Sequence, residues 1–158
     1  MLPELNTYND LLLKLDYDRE RLANTNHIYE LLDCLLTLNA LPEWIANSQT
    51  GNSQLMQIVE EKIKVMKGHS FNFDENLIHS DIDQQLRLIR LVCNHAKHKT
   101  DSVLIPTIKR EYDASFPMVF PIKFGFIIAV GKQKVDAEFV VSQVANFWKK
   151  AISDSKQQ

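Results

Sequence analysis

The stretch from Asn26 to about Ala46 constrains the fold more than any other. Ile28, Leu31, Leu32, Leu35, Leu36 and Leu41 follow i, i+3, i+4 spacing, and Cys34 and Leu38 carry the apolar surface nearly all round. A helix with almost no polar face belongs at the centre, with other helices packed around it. That requirement selects a helical bundle. Pro42 has no amide hydrogen to donate, so it is predicted to kink or restart this helix, with Pro42-Glu43-Trp44-Ile45 opening a short continuation.

The flanking segments supply the partners. Leu11, Leu12, Leu15 and Leu22 form an apolar stripe that Asn6 or Thr7 would cap. Residues 49–52 read as a loop, after which Ser53 is expected to cap a third helix carrying Leu55, Ile58, Val59, Ile63 and Met66, stopped by Gly68. Ser80-Asp81-Ile82-Asp83 resembles a capping box and opens a fourth helix from about Asp81 to Lys97. After Thr100 the residues become β-branched and aromatic, punctuated by Pro106, Pro117, Pro121 and Gly125. This predicts a small β-hairpin over about 103–130. Asp136 then caps a last helix over about 136–154 with Val140, Val141, Val144, Phe147, Trp148 and Ile152. The expected architecture is mostly α: one domain over 1–158, about five helices, and a hairpin inserted before the last. A hairpin so small must pack on the bundle or on a second copy.

Composition excludes several classes. With 158 residues the chain is long enough for one self-sufficient core, so neither a disulfide nor a structural metal is required. Eighteen Lys and Arg against 20 Asp and Glu give a net charge of −2, without the basic balance of a dedicated DNA binder. The first residues lack a basic segment and a small-residue cleavage site, and apolar runs such as Phe124 to Gly131 fall far short of the ~20 residues of a spanning helix. A cytoplasmic protein with no membrane partner is expected. Cys34 and Cys93 read as small buried hydrophobes in a reducing compartment, with a Cys34–Cys93 disulfide as the minor alternative.

The sharpest functional signal lies in the fourth helix. No acidic residue occurs between Gln84 and Thr100, whereas Arg87, Arg90, Lys97 and Lys99 are cationic, which makes a local patch suited to phosphate or another anion. At about 100° per residue, Arg87, Arg90, Asn94, Lys97 and His98 share one arc. Ile82, Leu86, Ile89, Cys93 and Ala96 cover the opposite, core side. His95 sits at the arc's edge, beside Leu88 and Leu91. Such a set fits metal-free phosphodiester chemistry: histidine moves a proton near neutral pH, arginine holds the phosphate and stabilises its charge, and asparagine orients the histidine or hydrogen-bonds the substrate. The competing reading is a solvated cationic stripe that the helix dipole alone favours.

Two segments, Tyr29-Glu-Leu-Leu-Asp33-Cys-Leu-Leu-Thr-Leu-Asn39-Ala-Leu-Pro-Glu-Trp44-Ile45 and Arg90-Leu-Val-Cys-Asn94-His95-Ala-Lys97-His98, resemble a family of uncharacterised bacterial helical proteins. In that family a helix ending in an acidic residue plus Trp precedes a second helix with an Arg-x-x-x-Asn-x-x-Lys-His pattern. The later hairpin and Phe147-Trp148-Lys149 fit as well, so the resemblance spans most of the chain. More remotely the chain is similar to the HEPN superfamily, many of whose members are metal-independent RNases or toxins with four to six residues between an Arg and a His. The resemblance implies Arg90 with His95 as the motif, with seven residues between Arg90 and His98, one more than the motif allows, and the position after Arg90 held by Leu91. It also implies a homodimer and a defence or toxin–antitoxin setting.

Other constellations carry less. Cys93, His95 and His98 lack the spacing of a zinc site, and neither a metal nor a cofactor is expected. His69 and His79 belong to a connector and are expected to be exposed. Asp33, within an apolar helix, is expected to pair with Arg87 or Arg90; the alternative makes it an orienter of His98. Trp44 is expected in the core or an interface ahead of a base-stacking role. The leading expectation is a phosphate-recognising domain for RNA or a nucleotide, with RNA cleavage through Arg90 and His95 or His98 as its enzymatic form. The alternative is an interaction or regulatory protein with a protein partner, in which the Arg87/Arg90/Asn94/Lys97/His98 stripe is structural.

Overall fold

Helix α2, Ile28–Asn47, packs against all four other helices, as its nearly all-round apolar surface requires. In the computed structural model, which describes residues 4–48, 52–98, 105–112 and 124–157, these are α1 (Tyr8–Thr25), α3 (Ser53–Lys67), α4 (Ile82–His98) and α5 (Ala137–Lys156). Leu31, Leu35, Leu38, Leu41 and Ile45 of α2 are fully buried and join one core with Leu15, Leu86, Leu88, Ile89, Val144 and Trp148. Among the described residues no helix is long and apolar enough to cross a membrane.

Pro42 does not divide α2. The helix is continuous through it, and Pro42 is itself buried between Leu41 and Ile45. The hydrogen bond missing at Pro42 is outweighed by the core contacts that hold the flanking turns in one helix. The N-caps follow side-chain reach. Thr7 and Asp10 form a reciprocal capping box on α1, and the Asp136 carboxylate accepts from the Phe139 amide at 2.8 Å. On α3 the cap is Asn52, whose Oδ1 accepts from the Leu55 amide at 3.0 Å, and Ser53 is the first helical residue. On α4 the carboxylate of Asp81 accepts from the Asp83 amide at 2.9 Å, while the Ser80 hydroxyl donates back to the Leu77 carbonyl.

The β region is a three-stranded antiparallel sheet in place of a simple hairpin: β1 (Thr107–Tyr112), β2 (Phe124–Val130) and β3 (Gln133–Asp136), in the order β1-β2-β3. Phe126, Ile128, Val130 and Val135 point into the bundle core against α5. Two ties fix the sheet further. Arg110 donates to the Asn26 carbonyl at 2.8 Å, and a 3-10 turn at Glu75–Leu77 lays the Glu75 carboxylate over Gly131, where it accepts from the Lys132 amide at 3.3 Å. Pro117 and Pro121, Lys99, and the segments 99–104 and 113–123 of the expected hairpin region lie outside the described residues.

The buried carboxylates differ from the expected one. Asp33 is only half-buried and makes no ion pair with Arg87 or Arg90 among the described residues. Among the described residues the buried carboxylates are Asp18 and Glu30, placed in the seam between α1 and α2. Lys14 bridges Asp18 and the Thr37 hydroxyl, and Arg21 donates to Glu30 at 2.8 Å. Buried charge survives there because a cation meets each carboxylate. Cys34 and Cys93 are both free and buried, and no disulfide joins them.

Candidate anion-binding face of α4

The fourth helix splits its surface largely as its spacing dictates. Leu86, Ile89 and Cys93 are fully buried, with Leu88 and Val92 beside them, and Arg87, Arg90 and Asn94 lie half-buried along the margin. Ala96, expected in the core, is exposed in the last turn of α4. His69 and His79 are exposed.

Arg87 is largely committed inside the protein. Its Nη1 donates to the Met66 carbonyl at 2.7 Å, closing the C-terminal end of α3. Gly68 caps that end at φ +73, and a Cβ there would lie 2.9 Å from Arg87 Cζ and Nη2. Burial, and secondarily the charge of Arg90, push the Arg87 guanidinium below its ordinary pKa. Arg90 is held more loosely. Its one side-chain partner among the described residues is the Oδ1 of Asn39, at 3.5 Å from Nη1, and Nε and Nη2 make no hydrogen bond among those residues. Asn39 is 5% exposed and supplies from α2 the polar contact that Asp33 was expected to make. Six residues separate the two, about 240° around the helix, so only Asn39 faces α4. A lone polar side chain in an apolar stripe signals such a partner, since buried amides are rarely left unbonded.

Arg90, Asn39, Glu43 and Lys67 line a crevice of about 10 Å³ between α2, α3 and α4. That volume corresponds to about one water molecule, so the crevice encloses no nucleotide. Asn94 makes no hydrogen bond among the described residues, and Lys97 is exposed. His95 is half-buried with Nδ1 buried and unpartnered. The side chain of His98 lies outside the described residues, although its backbone ends α4. Arg87, Arg90 and Lys97 make no ion pair with a carboxylate among the described residues, and Glu43 is the one acidic side chain in the lining of the Arg90 crevice.

Cysteine chemistry is absent from the site. Burial pushes the Cys93 thiol up to about 12, against the opposing charges of Lys97 and Arg90, which leaves it protonated and unreactive near neutral pH. Trp44 packs against the core yet stays half-buried, on the wall of a separate cleft. Among the described residues no group of three His, Cys, Asp or Glu is arranged to hold a metal ion. No protein-family model, curated protein or solved structure matches the chain.

Proposed function

We propose that the outer face of α4 binds the phosphates of a nucleic acid or nucleotide, with Arg90 as the anchoring cation. The observation that carries this reading is the Arg90 guanidinium itself: half-buried, oriented by Asn39 through one weak contact, and facing no carboxylate within ion-pair distance among the described residues. An arginine held in this way keeps donors free for two phosphate oxygens. Lys67 and Lys97 add charge on either side. The water-sized crevice favours an extended backbone laid across the surface over an enclosed mononucleotide, which points to single-stranded RNA.

The HEPN resemblance extends the proposal to metal-independent cleavage, with His95 or His98 as general base and Arg90 stabilising the charged phosphate. His95 would work through Nε2, because Nδ1 is buried. A second reading, a non-catalytic interaction or regulatory domain, is favoured by Arg87, whose guanidinium serves the end of α3. Incubating labelled single-stranded RNA with the protein in EDTA separates the readings. Binding lost in Arg90→Ala supports the phosphate face, and cleavage lost in His95→Ala or His98→Ala adds catalysis. Wild-type protein that neither binds nor cleaves RNA supports the interaction reading.

A further inference from the structure

A second cleft, of about 480 Å³, lies between the start of α1 and the end of α2. Its size is within the ~300–1,000 Å³ range of small-ligand sites. Two aromatic rings, Tyr8 and Trp44, line it, and both are half-buried and packed against the core, so their orientations are fixed. The remaining lining is uncharged and polar, chiefly Asn6, Asn9, Asn47 and Ser48. Asn9 and Asn47 have exposed side chains that make no hydrogen bond among the described residues.

The cleft does not suit an anion. The α1 N-terminus beside it is already occupied by the Asp10 carboxylate, which accepts from the Thr7 amide and hydroxyl, each at 2.8 Å, and from the Asn6 amide at 3.1 Å. The hydrogen bond from the Thr7 hydroxyl holds the Asp10 carboxyl below its usual range, so it is charged at neutral pH and repels anions. The carbonyl end of α2 lies alongside and opposes the α1 dipole. A purely apolar ligand does not suit it either, since it would strip water from the two free amides without replacing their hydrogen bonds. What remains is a flat, neutral ligand with donors and acceptors along its edge.

We propose that this cleft takes an unstacked nucleobase, stacked on the Trp44 or Tyr8 ring and hydrogen-bonded along its edge by Asn9 and Asn47. Aromatic faces accept any base, and an asparagine amide matches the adjacent donor and acceptor of a base edge. The base comes either from a free nucleoside or from a single strand whose phosphates run over Arg90. In the second case the inference rests on the phosphate reading of α4. Geometry links the two sites through α2, which contributes Asn39 and Glu43 to the Arg90 crevice and Trp44 and Asn47 to the cleft.

The test is equilibrium dialysis of the full chain with each of the four ribonucleosides and with a short single-stranded RNA, followed in parallel by tryptophan emission. Trp148 is fully buried, so quenching on binding reports Trp44 and disappears in Trp44→Phe. Saturable nucleoside binding with quenching is expected. It should weaken about tenfold or more in an Asn9→Ala/Asn47→Ala variant that keeps its circular dichroism, and stay unchanged in Arg90→Ala. Nucleoside binding without tighter RNA binding supports the cleft with a free nucleoside as ligand and defeats the phosphate reading of α4. RNA binding that Arg90→Ala reduces, with no saturable nucleoside quenching, overturns the cleft and leaves α4 standing. Equal quenching by methyl glycosides, or unchanged binding in the double-alanine variant, also overturns it.

Discussion

The Arg87 guanidinium lies against Gly68 so closely that a Cβ on that glycine would meet Arg87 Cζ at 2.9 Å. The same arginine bonds the Met66 carbonyl, so one side chain closes the end of α3 and fastens it to α4. Gly68→Ala should lower stability by about 1–2 kcal/mol from the left-handed backbone alone, with more from displacing Arg87. In an Arg87→Ala background the second part disappears. Urea unfolding of the four proteins should therefore show the double variant less destabilised than the sum of the two single variants, and strict additivity would contradict the contact.

Asn52 performs two tasks on α3. Its Oδ1 caps the helix, and its Nδ2 donates to the Ser155 carbonyl at 2.6 Å, which ties α3 to the end of α5. Asn52→Ala should cost roughly 1.5–2.5 kcal/mol, the sum of a lost cap and a lost hydrogen bond. Asn52→Asp keeps the cap and loses the donor, so it should recover about half. Ser53→Ala should be close to neutral, and a Ser53 effect equal to that of Asn52 in thermal unfolding would contradict the assignment.

The two thiols predict an alkaline loss of stability. Burial pushes both Cys34 and Cys93 up to about 12, the charge of Asp18 adding to the effect at Cys34. An unfolded chain loses both protons near pH 9, whereas the folded chain keeps them. Stability is therefore fully present below about pH 9 and falls as pH rises towards 12, with a slope of up to ~1.4 kcal/mol per pH unit for each thiol. Chemical denaturation across that range checks the sign. At pH 8 neither thiol should react with a disulfide reagent until the protein unfolds, and rapid native labelling would contradict their burial.

The helices were legible because apolar spacing and caps agree along the chain, as at Thr7, Gly68 and Asp136. Pro42 misled because the cost of one missing hydrogen bond is visible in sequence, whereas the core around Leu41 and Ile45 that absorbs it is not. Strand β3 leaves little trace in the sequence, since Val135 is its one buried residue, too little for alternation to register. Asp18 was readable in principle: it continues the Leu11, Leu15, Leu22 stripe, with Lys14 one turn earlier to neutralise it. At the site, the arc holding Arg87 and Arg90 follows from helical period. Which arginine is committed to Met66 and which faces Asn39 depends on tertiary neighbours that spacing within one helix does not encode.

The most direct test of the α4 face is the salt dependence of single-stranded RNA affinity for wild type and Arg90→Ala, with Arg87→Lys as a control for the α3 clamp. If Arg90 holds a phosphate, wild-type affinity should fall linearly in log–log form with salt. Arg90→Ala should bind more weakly, with a slope shallower by about 0.7, the value for one phosphate contact on a single strand. Identical affinity and slope in Arg90→Ala and wild type would contradict the account.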